Sequence, residues 1–110
     1  MAISYKPAQV QGTASVGTYA TLYNASSVEA VISTIVICNT ASVTATYRIG
    51  LDTEAGTPSA SEWLVYDGVL AANDSVCLTL GVCLDDGKYI RVSSSADTVT
   101  FSAFVSEITA

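Results

Sequence analysis

Apolar and polar residues in this chain alternate with a period of two, in segments rich in β-branched and aromatic side chains, which excludes helices over most of its length. In VTATYRI, Val43, Ala45, Tyr47 and Ile49 fall on one face and Thr44, Thr46 and Arg48 on the other. In SVCLTLGVCL, Val76, Leu78, Leu80, Val82 and Leu84 share a face if the strand is continuous, with Cys77, Thr79, Gly81 and Cys83 opposite. Gly81 is the position for a bulge or bend in that run. The C-terminal TVTFSAFVSEI turns Val99, Phe101, Ala103 and Val105 inward and leaves Phe104 and Ile108 on a reverse face that needs a second cover. EAVISTIVICN is apolar on both faces, with Val31, Ile35 and Ile37 against Ile32, Val36 and Cys38. That pattern predicts a central strand, or one buried at a subunit contact.

Turn clusters separate these runs: YNASS (Tyr23 to Ser27), AANDS (Ala71 to Ser75), DDGK (Asp85 to Lys88) and SSADT (Ser94 to Thr98). Asp and Asn side chains bond their own backbone there and Gly supplies positive φ, so each is a turn with a mechanism. Short strands punctuated in this way predict an all-β fold, an antiparallel β-sandwich of jelly-roll-like or Greek-key type. The first seventeen residues are small, polar and weakly patterned, with Pro7, Gly12 and Gly17, and read as an extended N-terminal arm (1–17) ahead of a single sandwich domain (18–110). DTEAGTPSASE, Asp52 to Glu62, reads as an exposed loop, and TPSASEWL within and after it holds a serine and a glutamate able to cap a short helix.

Composition narrows the function classes. Half of the 110 residues are apolar and 13% are charged, enough core for one domain and too little charge for a disordered chain. The net charge of −6 repels phosphate backbones and anionic headgroups, and Lys6, Arg48, Lys88 and Arg91 are too few for a basic patch, so neither nucleic acid nor membrane is an expected partner. MAISYKPAQVQGT lacks the apolar core of a signal peptide, and the longest apolar stretches fall far short of a bilayer span. Cys38, Cys77 and Cys83 are odd in number and without metal spacing, which favours buried, reduced thiols, with a Cys77–Cys83 disulfide as the competing reading.

Without a single histidine, triads and zinc–histidine sites are excluded and general acid–base chemistry loses its commonest group. No cysteine has a basic neighbour in sequence to activate it. The carboxylate pairs Asp52 with Glu54 and Asp85 with Asp86 fall in turns and read as solvated turn residues, and DDG lacks the further ligands of a calcium loop. The asparagines of NAS (Asn24) and NDS (Asn73) match a glycosylation acceptor, which carries little weight without a secretory signal. The expectation is a chain with no catalytic residues, metal or cofactor. Aromatic residues are the remaining candidates for contact: Tyr5, Tyr19 and Tyr23 in the N-terminal region, and Trp63 with Tyr66 beside the long loop, where rings pack in the core or meet a partner or a sugar face.

The order of segments then resembles a small all-β domain of virion structural proteins in tailed bacteriophages. The residues that carry the likeness are Cys38 and Asn39 at a strand end, Tyr47 to Ile49, Tyr66 and Asp67, the AAND turn Ala71 to Asp74, LTLG at Leu78 to Gly81, and FSAF…EI from Phe101 to Ile108. They cover about the last two-thirds of the chain and are scaffold positions. The resemblance implies a non-enzymatic virion protein made in the host bacterial cytoplasm: a head decoration or cement protein, homo-oligomeric and by analogy trimeric, contacting the major capsid protein or other virion proteins. The alternative it implies is a tail, baseplate or fibre component, binding host-surface glycan through Trp63, Tyr66 and the Asp52 to Glu62 loop. A glycan-active enzyme using Asp85 or Asp86 stands behind both.

Overall fold

A computed structural model describes residues 2–52, 58, 62–79 and 81–109, and among them no residue is helical. Nine strands follow one another: β1 (Ala2–Gln11), β2 (Ala20–Asn24), β3 (Glu29–Asn39), β4 (Ala45–Asp52), β5 (Trp63–Leu70), β6 (Ser75–Leu78), β7 (Val82–Leu84), β8 (Tyr89–Ser94) and β9 (Val99–Thr109). They form two antiparallel sheets, one ordered β1-β9-β3-β6 with β7 also on β3, the other β2-β8-β4-β5. Strands β6 and β7 pair with successive stretches of β3, Ile35–Cys38 and Ala30–Ile32, and so act as one interrupted strand. Gly81, at φ 62°, lies in the interruption; Leu80 is outside the described residues. Counted that way, eight strands wrap between two sheets as a jelly roll.

The inner faces supply the core. Ile35, Ile37, Val99 and Phe101 of the larger sheet face Ile49, Leu70, Ile90 and Val92 of the smaller, all at or below 1% exposure. Tyr47 and Phe101 meet across the sandwich edge to face, ring centroids 6.3 Å apart. Burial of each large side chain stabilises the fold by roughly 1.5–3 kcal/mol. The strand parities expected for Ala45, Tyr47 and Ile49, and for Val99, Phe101, Ala103 and Val105, are those observed.

Four details differ from expectation. In β3, Ile32 pairs with Val105 and Thr34 with Phe104, so Ser33 is an extra residue that reverses the alternation. Ile32, Ile35 and Ile37 therefore share the buried face, while Val31, Val36 and Cys38 lie opposite. Val43 precedes β4 and is exposed. Cys77 and Cys83 are exposed and unpaired rather than buried, because their parity places them on the outer face of β6 and β7; Cys38 is half-buried. Asp52, expected in an exposed loop, is buried at the end of β4, and so is Pro58; the rest of that loop, with Glu54, and most of the capping segment lie outside the described residues.

The N-terminal segment is extended, and its residues 2–11 lie along β9 in register from Ala2 opposite Thr109 to Gln11 opposite Thr100. Ala8 and Val10 pack against the core from this edge position, where Pro7 costs no sheet bond that a neighbouring strand needs. Thr13 continues the attachment, its hydroxyl accepting the Ser94 amide at 3.0 Å.

Candidate functional site

The outer face of the four-stranded sheet gathers Tyr19, Arg48, Trp63, Tyr66 and Asp67. On β4 the alternation that sends Tyr47 and Ile49 inward sends Arg48 outward. On β5 two register shifts, between the pairs Tyr47–Gly68, Ile49–Val65 and Gly50–Trp63, each insert an extra residue. Asp67 absorbs one of them at φ 54°, a left-handed conformation that Asp tolerates better than most residues. Tyr66 and Asp67 are thereby both brought to Arg48. Gly50 matters for the same reason: a Cβ there would lie 2.5 Å from Pro58 and 3.2 Å from the Trp63 ring, so only glycine lets both close over β4.

The resulting cluster is tightly braced. Trp63 and Tyr66 pack edge to face at 5.1 Å, and Tyr19 tilts against Trp63 at 5.7 Å. The Arg48 guanidinium lies over the Tyr66 ring at 4.1 Å and near the Trp63 ring at 5.8 Å. Arg48 Nε donates to Asp67 Oδ1 at 2.7 Å and Nη2 to Asp67 Oδ2 at 3.2 Å, the two-pronged pairing that fixes a guanidinium plane. Nη1 donates to the Val16 carbonyl and the Tyr19 hydroxyl. The hydrogen bonds from Arg48 hold the Asp67 carboxyl below its usual range, and Asp67 in turn raises the Arg48 pKa, so both stay charged. Tyr66 remains 57% exposed at the centre of this frame.

A second surface occupies the opposite side of the molecule. On the outer face of the larger sheet, Tyr5 and Pro7 of β1 lie beside Phe104 and Ser106 of β9, and a shallow groove runs past Ser33. Tyr5 is 80% exposed and Phe104 50%, and Ile3, Ile108 and Val36 extend the patch. Among the described residues the outward positions of this face carry no charged residue short of Glu29 at its end; Lys6, which also lines the groove, pairs with Glu107 at 2.9 Å. Tyr23 joins neither surface: it is 8% exposed and its hydroxyl bonds Glu107 inside the sandwich edge.

The expected contact residues thus separate into Tyr19, Trp63 and Tyr66 in one cluster, Tyr5 on the reverse face, and Tyr23 in the interior. Arg48 and Asp67 are members of the cluster that period-two reading passes over; the available signal is the Asp-Gly pair at 67–68, a dipeptide that favours left-handed backbone. The DDGK turn is held by the Asp86 carboxylate and by the Asp85 backbone carbonyl. Asp86 Oδ1 accepts the Ser27 amide at 2.7 Å, and the Asp85 carbonyl accepts the Lys88 amide at 3.1 Å. Among the described residues no three His, Cys, Asp or Glu side chains are grouped so as to hold a metal ion.

No known protein family and no curated protein matches the sequence. Two solved structures share the fold. A chain of the T13 infectious bursal disease virus particle matches with a TM-score of 0.54 at 9% identity, over 97% of this chain and 31% of that one. A chain in the structure of the infectious bursal disease virus Gx strain matches with a TM-score of 0.56 at 9% identity, over 97% and 33%. The present chain therefore spans about a third of the length of those chains, and what is shared is the two-sheet antiparallel sandwich.

Proposed function

We propose that this chain is a non-enzymatic structural component of a virus particle and, more finely, a decoration or cement protein of a phage head. The observation that carries the reading is the likeness of 97% of the chain to a domain-sized part of chains from an icosahedral virus particle. The segment order from Cys38 to Ile108 supports the phage assignment. The uncharged Tyr5–Phe104 face supports self-association: a chain of net charge −6 meets a second copy with least repulsion where its surface carries no charge. We assign that face to a neighbouring copy in a closed, three-fold oligomer. Many such weak contacts, repeated over a symmetric shell, add up to firm attachment.

Antibody labelling of intact virions under the electron microscope tests the particle reading. Label spread over the head is expected. Label confined to the tail replaces the head assignment with a tail or fibre role, and absence of label from the virion overturns the proposal.

A further inference from the structure

The outer face of the smaller sheet presents an exposed tyrosine ring beside a half-exposed carboxylate. We propose that the Trp63–Tyr66 cluster binds a neutral saccharide, which stacks a C–H face on the Tyr66 ring and gives hydroxyl hydrogens to the Asp67 carboxylate.

The Tyr66 ring is exposed but not loose. Trp63 supports it edge-on and Arg48 holds one side of it, so little side-chain freedom is left to lose when a ligand arrives. Arg48 also decides against charged ligands of either sign. Its Nε, Nη1 and Nη2 are already directed to Asp67, Val16 and Tyr19, so it has no open fork for a carboxylate or phosphate. A cation approaching the same rings meets a guanidinium already seated at 4.1 Å from the Tyr66 centroid. Asp67 has 45% of its side chain exposed, and each of its oxygens, having accepted one Arg48 hydrogen, keeps a lone pair for a further donor. A ring with an open surface beside an ionised acceptor, with both charge classes disfavoured, selects an uncharged ligand that has an apolar face and hydroxyl donors.

The inference stands apart from the particle reading, since it concerns the sheet opposite the Tyr5–Phe104 face. Trp63 is the only tryptophan in the chain, so its emission reports the site directly. The full chain is titrated with cellotetraose, mannotetraose and chitotetraose as neutral probes, and with tetragalacturonate and tetralysine as charged ones. A saturable emission change with at least one neutral tetrasaccharide is expected. Tyr66→Leu should weaken it about tenfold and Tyr66→Phe should retain it, which separates loss of the ring from loss of packing. Asp67→Asn should weaken it, and Phe104→Ser, on the other face, should not. A response confined to tetragalacturonate or tetralysine, or no saturable response to any probe, overturns the proposal. Neither result alters the labelling of virions, so failure of the saccharide site and failure of the particle reading are read separately.

Discussion

At the scale of single residues, the buried side chain of Asn39 is a fastener. Asn39 is buried at the end of β3, where its amide nitrogen donates to the carbonyls of Val43 at 2.8 Å and Ala71 at 3.3 Å. Its oxygen accepts the Ala41 amide at 3.1 Å and the Thr98 hydroxyl at 3.3 Å. One side chain thus ties three connections together at one end of the molecule, and Asn39→Ala should cost roughly 1–3 kcal/mol by leaving buried groups unpaired, read as a lower urea midpoint with unchanged slope. At the other end Glu107 accepts from Tyr23 and pairs with Lys6, and these contacts, Tyr23 first, hold its carboxyl below the ordinary 4.5. A depressed acid contributes stability that is complete above pH 4.5 and is lost as pH falls below it. Burial and Glu107 raise the Tyr23 phenol, so its contribution is complete below pH 10 and is lost on rising above it. Acid should therefore loosen β1 first, seen as a fall in amide protection relative to the intrinsic exchange rate at residues 3–6 below pH 4.5, and Glu107→Gln should flatten that dependence.

At the scale of elements, bulges decide which residues meet. Ser33 carries β3 through a change of parity that keeps Ile32, Ile35 and Ile37 all in the core, and the extra residues in β5 deliver Trp63, Tyr66 and Asp67 to Arg48. The bulged part of β5 also needs glycine. A Cβ on Gly68 would lie 2.8 Å from Val65 and 2.9 Å from the buried Tyr47 ring. Gly68→Ala should destabilise by about 1–3 kcal/mol through overpacking, measured by thermal unfolding, whereas Gly81→Ala meets no neighbour and should cost only the strain of its positive φ.

At the scale of the whole molecule, the two outer faces differ in chemistry: one is uncharged around Tyr5 and Phe104, with Glu29 at its end, the other aromatic, with a fixed arginine–carboxylate pair. If the first face joins copies, Phe104→Ser should shift the chain toward monomer in sedimentation while leaving its folded circular dichroism unchanged. A wild-type chain that sediments as a monomer at every concentration would remove that face from the assembly. The jelly-roll wrapping sets the two surfaces on opposite sides of one core, so a contact made by one leaves the other open.

The sequence alone determined the all-β class, the turns and the inward positions of β4 and β9, because side-chain alternation and turn chemistry are local: Phe101, Ala103 and Ile49 are where their parity places them. It also marked Trp63 and Tyr66 as residues worth attention. Tertiary structure decided what alternation cannot carry. An extra residue at Ser33 reverses every later position of β3, Asp67 meets Arg48 only once β4 and β5 are paired, and β1 becomes an edge strand only when β9 lies beside it. Those outcomes depend on partners remote in the chain, whose energies are settled by packing across the sandwich rather than by the preferences of any one segment.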